Sequence, residues 1–320
     1  MRPLVRAWIA FWDRREPPTV LALVRILVGV TLLADFLGAA SSGLVEAVWA
    51  APPHGLGFGA LRAIPIPAAV RWLGATPHTA WILWTTATLA LLLFTVGALT
   101  RVAGVVFVLV SAQLAAISPD CDRGIDILLR VVIAILVLSG ASATWSVDAW
   151  VRRRIGRPPP PLVPAWPRYL LFAQLVWMYF SAGISKSDPA WGPFGGFSAL
   201  AMILSDPHFA RWDAGWIAGV YPLLQVATLA TVSFEYGAPA FLLASALAAR
   251  GGRWARPARV LRWTWLLVGA SFHLGIAVTM RLGIFPFGML AVWPVFLHPD
   301  ELERALRYAR PSTWRSTSLR

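Results

Sequence analysis

From residue 19 to residue 40 the chain carries only two ionisable side chains, Arg25 and Asp35, in an otherwise apolar run. A helix needs roughly 20 such residues to cross the hydrocarbon of a bilayer. A chain that repeats this run has few folds open to it, because lipid offers backbone groups no partners outside a helix or a closed barrel. Seven more runs follow, at 79–98, 102–117, 124–142, 169–185, 219–247, 263–280 and 282–296. The runs at 102–117 and 282–296 are short. The run at 219–247 is long, and Gly237 with Pro239 marks where it can break. The expectation is an all-α, polytopic membrane bundle of about eight transmembrane helices with two long outer loops. Composition agrees: 58% of residues are hydrophobic and only 13% are charged, against roughly 25% charged in soluble chains.

Charge sets the direction of the spans. Of 28 basic side chains one is a lysine, which leaves 27 arginines. With the N-terminus inside, 20 of them fall in inner segments, Arg62, Arg71, Arg123, Arg211 and Arg281 fall outside, and Arg25 and Arg130 lie within runs. Inner loops carry such an excess in membrane proteins, so the chain reads as a multi-pass protein of the cell (plasma) membrane with both termini cytoplasmic. Its expected parts are an N-terminal cytoplasmic segment (1–18), a transmembrane domain (19–298) and a cytoplasmic tail (299–320) whose end, 312–320, reads as disordered. A basic, proline-rich linker at 150–167 divides the domain into two halves. The net charge of +13 follows from the inner arginines and points to anionic membrane lipids, with no nucleic acid. The first run is long enough to span, so it reads as an uncleaved helix and not as a signal peptide. The segments 41–78 and 187–218 are too apolar for free coil and predict short helices lying in the interface or capping the bundle.

Ionisable residues inside spans are expensive and face the bundle interior. Asp126 and Arg130, four apart, predict a pair on one helix face. Arg25 and Asp35 share a face but lie too far apart to touch, so each needs a partner elsewhere. Glu235 has no basic neighbour within a turn and must find one on another helix or protonate. His273, in an apolar setting, reads either as a satisfied bundle residue or as a ligand. The single cysteine, Cys121, excludes an intrachain disulfide. The five histidines show no metal-binding spacing, so no metal is expected, and neither a phosphate-binding loop nor a nucleophile elbow is present.

Lys186, the one lysine, stands where the 169–185 run ends, in Tyr179-Phe180-Ser181-Ala182-Gly183-Ile184-Ser185-Lys186-Ser187-Asp188-Pro189-Ala190-Trp191. Arginine stays protonated, whereas a desolvated lysine ammonium releases its proton. Lys186 is therefore the chain's one candidate amine base or nucleophile. The alternative is that an arginine-biased composition left one lysine there by chance.

This segment resembles the vitamin K-dependent gamma-carboxylase and its bacterial relatives, the HTTM (horizontally transferred transmembrane) domain proteins. Tyr179, Phe180, Ala182, Gly183, Ile184, Lys186, Asp188 and Trp191, followed by Gly195-Gly196, stand at the pattern's positions. Weaker echoes follow the family's order: Asp126-Ile127-Leu128-Leu129-Arg130 leading to Trp145-Ser146-Val147-Asp148, then Phe234-Glu235-Tyr236, then Phe272-His273 ahead of Phe285-Pro286-Phe287. The likeness covers residues 20 to 300. Where the animal carboxylase has a second lysine, this chain has Ser185. The resemblance implies a carbon–carbon lyase or ligase type of enzyme coupled to oxidation of a membrane quinol of the vitamin K or menaquinol kind. In it Lys186 is the base, Asp188 and His273 are further catalytic candidates, and Tyr179, Trp191 and Glu235 line the cofactor site. Two other readings fit the same residues: a non-carboxylating membrane factor that matures or exports a secreted peptide or protein partner, and a transporter.

Overall fold

The computed structural model describes residues 3–57 and 67–309. Arg2, Arg62, Arg310, Arg315 and Arg320, and the tail expected to be disordered, lie outside the described residues. The helices are α1 (Pro3–Trp12), α2 (Thr19–Ser41), α3 (Leu44–Trp49), α4 (Ala68–Leu73), α5 (Pro77–Val96), α6 (Thr100–Ile117), α7 (Gly124–Leu138) and α8 (Val147–Arg154). There follow α9 (Trp166–Ser185), α10 (Ala199–Ser205), α11 (Ile217–Tyr236), α12 (Ala238–Arg250), α13 (Ala255–Thr279), α14 (Phe285–Val292) and α15 (Pro299–Ala309). The only sheet among the described residues is a two-residue pairing of β1 (Arg15–Glu16) with β2 (Val163–Pro164).

Among the described residues, five helices are long and apolar enough to cross a membrane: α2, α5, α6, α13, and α11 with the turn before it (Ala214–Tyr236). α9 has 20 residues, but Arg168, Gln174 and four Trp or Tyr residues make it less apolar. The run at 219–247 does break at Gly237, dividing into α11 and α12, since Pro239 has no N–H to give the carbonyl four residues back. The runs at 124–142 and 282–296 form shorter helices than their length predicted, α7 ending at Leu138 and α14 passing into a 3₁₀ turn.

The chain divides into two compact units, residues 1–169 with 291–320, and residues 170–290. In the first, α2 buries Val20, Leu21, Ala22, Val24 and Val28, and α5 and α6 contribute Leu91, Phe94 and Phe107. Thr76 caps α5 by accepting from the Thr79 N–H at 3.2 Å. Asp148 caps α6 from 48 residues away, accepting from the N–H groups of Leu99 (2.8 Å) and Thr100 (2.9 Å) and from the Thr100 hydroxyl (2.7 Å).

The expected Asp126–Arg130 pair does not form. Asp126 sits in the first turn of α7, where it accepts from the Arg123 backbone and pairs with its guanidinium at 2.8 Å, a position favoured by the helix dipole. Arg123 also reaches Asp35 at 2.6 Å, and Arg130 turns back to Asp122 at 2.5 Å. Arg25, fully buried, donates to the carbonyl oxygens of Ala141 (2.8 Å) and Trp145. At the start of α9, Arg168 makes a buried two-pronged pair with Glu16, both contacts at 2.8 Å.

The second unit is built on an aromatic stack. Phe172 lies on Phe241 (5.4 Å), Phe241 on Trp265 (4.0 Å) and Trp265 on Phe234 (4.4 Å). The chain after α9 does not simply cap the end of α11 but runs back along it. Gln225 donates to the Gly196 carbonyl at 2.6 Å, and Leu200 N–H donates to the Thr228 hydroxyl at 3.3 Å. Further on, Ala210 pairs with Met280.

Candidate functional site

Lys186 is the first residue beyond α9, its N–H bonded to the Gly183 carbonyl at 3.0 Å. Its side chain turns back toward the helix. Nζ lies 3.4 Å from the Ala182 carbonyl oxygen, and 2.7 Å from Oε1 and 2.6 Å from Oε2 of Glu235 in the last turn of α11. The Trp191 ring centroid is 4.9 Å from the ammonium, within cation–π range. The missing basic partner of Glu235 is thus the chain's only lysine, and the pair sits where α11 breaks from α12. Lys186 is 17% exposed and Glu235 5%.

Local sequence explains the approach. A Cβ at position 183 would lie 3.2 Å from Glu235 Cβ and from the Tyr236 nitrogen, so glycine lets α9 come close enough for the lysine to reach. Asp188 makes no ion pair with Lys186. Its Oδ1 accepts from the Ala190 N–H at 2.8 Å and caps the 3₁₀ turn Pro189–Trp191, which carries Trp191 over the ammonium. That turn closes against Gly195, where a Cβ would meet the Pro189 carbonyl oxygen at 2.4 Å, and Gly196 takes a positive φ of 63°.

Tyr179, two turns before Lys186 on α9, forms a second polar contact with His273 of α13, Oη to Nε2 at 2.7 Å. Both are buried. Aromatic rings surround them: Phe234 and Trp265 at 4.8 and 5.7 Å from the tyrosine, and Phe285 at 5.8 Å from the histidine. Trp265 is held in turn by donating to the Phe234 carbonyl at 2.9 Å. Lys186, Glu235 and Trp191 therefore form one cluster and Tyr179 with His273 another, with Phe234 beside Glu235 packed on the tyrosine ring. Ions are costly in apolar surroundings, and each member of the pair offsets part of the other's burial. Among the described residues no group of His, Cys, Asp or Glu could hold a metal ion.

The family model for the HTTM domain matches residues 13–300. The chain belongs to the HTTM family. The HTTM match takes in both compact units and all six site residues. No curated protein and no solved structure matches the chain. Within the HTTM domain, the sequence pattern included Gly183 but gave it no role; its place one turn before Lys186 was the signal for the close approach. Phe234 stood in the Phe234-Glu235-Tyr236 echo without a role, and Trp265 was missed, since nothing in the local pattern distinguishes it from other bundle aromatics.

Proposed function

We propose that this HTTM protein crosses the plasma membrane about eight times with both termini cytoplasmic, and that Lys186 is the proton-accepting base of an enzyme acting on a lipid-soluble quinol. The observation that carries this reading is the setting of the one lysine: its amine lies between a buried carboxylate and an indole face while remaining partly accessible. What supports a quinol here is Trp191, whose flat ring stands beside the only lysine amine. A bound quinol would supply an acidic hydroxyl and two electrons, which dioxygen, the co-substrate, would take up. Lys186, in its amine form, takes the hydroxyl proton. Glu235 positions the amine and, by accepting the ammonium proton, returns it to that form. Asp188 acts through the turn that places Trp191, and the buried Tyr179–His273 pair backs the site through Phe234.

The test is oxygen uptake by the purified protein in detergent, supplied with reduced vitamin K quinol. Positioned general bases contribute about 10²–10⁴-fold. Lys186→Arg keeps the charge but cannot give up its proton, so it should lose activity by that factor. Full activity in Lys186→Arg, or no quinol oxidation by the wild type, refutes the reading.

A further inference from the structure

The second unit holds an apolar groove of about 450 Å³ that the Lys186 cluster does not use. Ala227, Ala230 and Thr231 of α11 form one wall and Ser271, Gly275 and Thr279 of α13 the other, with Leu200 and Leu204 of α10 also lining it. The volume falls within the roughly 300–1,000 Å³ of ligand sites. Small side chains leave the groove open: a Cβ placed at Gly275 meets no atom within 4 Å. From Leu267 to Met280, both lining residues, α13 and the residue beyond it advance about 20 Å at 1.5 Å per residue. That is somewhat more than half of a hydrocarbon core about 30 Å thick.

One end of the groove is basic. Arg211 donates from Nη2 to the Met280 carbonyl at 3.1 Å, and Arg281 follows directly, its N–H bonded to the Phe209 carbonyl at 2.7 Å. Trp212 donates to the Val278 carbonyl at 2.8 Å and is 56% exposed, the setting of an interfacial tryptophan. The carboxylates of this loop are engaged elsewhere, Asp206 with His208 and Asp213 with the Gly215 N–H. A cationic end next to an apolar groove of this length, on the side the arginine asymmetry assigns to the outside, suits an anionic head joined to an acyl tail. We propose that this groove binds one acyl chain of an anionic phospholipid, with its phosphate at Arg211 and Arg281.

The probes are phosphatidylglycerol, phosphatidylcholine and free glycerol phosphate, added to the purified full chain in detergent. Retained lipid is counted by native mass spectrometry, and the thermal midpoint is followed in parallel. One phosphatidylglycerol should be retained and should raise the midpoint, phosphatidylcholine should do so about tenfold more weakly, and glycerol phosphate should have no effect. Gly275→Leu narrows the groove and should reduce phosphatidylglycerol retention by about tenfold or more. Its lipid-free midpoint should match the wild type because the added side chain enters open space. Gly219→Leu, at an equally open position outside the groove, should retain lipid normally. Arg211→Gln with Arg281→Gln should erase the preference for phosphatidylglycerol. Wild-type retention in Gly275→Leu, equal binding of phosphatidylcholine, or a glycerol phosphate effect as large as that of the lipid would each overturn the proposal.

Discussion

Removing either partner of the Lys186–Glu235 pair should have unequal consequences, and the asymmetry can be worked from exposure. Lys186→Met leaves the Glu235 carboxylate 5% exposed, with no other side-chain donor on it among the described hydrogen bonds. Orphaning a buried charge costs about 3–5 kcal/mol. Glu235→Gln leaves the ammonium with three compensations: an amide oxygen in the same place, the Ala182 carbonyl at 3.4 Å and the Trp191 ring at 4.9 Å. Lys186 is also 17% exposed, so some water reaches it, and the loss should stay near the 1–3 kcal/mol or so of an imperfectly replaced hydrogen bond. Lys186→Met should therefore be the more destabilising by about 2 kcal/mol. The double variant Lys186→Met with Glu235→Leu, which removes both charges, should recover most of the loss. Unfolding in mixed micelles titrated with sodium dodecyl sulfate measures all three. A Glu235→Gln variant no more stable than Lys186→Met, or a double variant as unstable as the worse single, would refute the argument that the buried carboxylate dominates the site.

Three further outcomes are expected. Asp148→Ala removes the cap of α6 and should cost about 0.5–2 kcal/mol. Burial alone would raise the Asp148 carboxyl, but hydrogen bonds from Thr100 and Leu99, with the Arg152 charge, hold it below its ordinary value of 3.8. The wild type should therefore carry this stability above that value and lose it as pH falls through the lowered one, and Asp148→Asn should flatten this acid limb. Gly183→Ala forces α9 away from Glu235 and should cost about 1–3 kcal/mol by overpacking, read in the same micelle titration. For orientation, the exposed Cys121 should react with an impermeant maleimide from outside intact cells, while Cys121→Ser with Arg157→Cys should react only after permeabilisation. The reverse pattern would invert the topology.

The helical architecture was legible because hydropathy acts along the chain. The runs at 19–40, 79–98 and 102–117 correspond to α2, α5 and α6 within a few residues, and the Gly237–Pro239 break followed from proline's missing donor. What periodicity could not supply was the choice of partners. Asp126 and Arg130 satisfied the four-residue spacing, yet Asp126 gains more as a cap near a helix N-terminus, where backbone N–H groups and Arg123 both await a carboxylate. The Arg130 side chain then finds Asp122 instead. Glu235 was legible as a carboxylate in need of a cation, but the 49 residues separating it from Lys186 carry no periodic signal. The position of Asp188 has a local cause: an aspartate followed by proline caps a turn more readily than it bends back on a lysine two residues away.

The break and the ion pair share a position for a physical reason. Irregular backbone in a membrane protein is tolerated only where it is buried in protein or lines a cavity. The stretch between α9 and α10 is exposed or half-buried and satisfies part of its backbone by running beside α11, its Gly196 carbonyl taken by Gln225 and the Leu200 N–H by Thr228. Opposite its start, α11 ends, because Pro239 cannot donate to the Glu235 carbonyl four residues earlier. Two helix ends, α9 and α11, therefore meet at Gly183 and Glu235. The first non-helical residue beyond α9 is free of helical rotamer constraints at the one place where a buried carboxylate faces it. Restoring helix through the break, by Pro239→Ala, would let α11 continue into α12 and swing Glu235 relative to α9. The expected result is a weakened pair. If the reasoning holds, Pro239→Ala should abolish most of the extra cost of Lys186→Met over Glu235→Gln, since the carboxylate would no longer depend on the lysine. Unchanged asymmetry in the Pro239→Ala background would show that the break does not set the site's geometry.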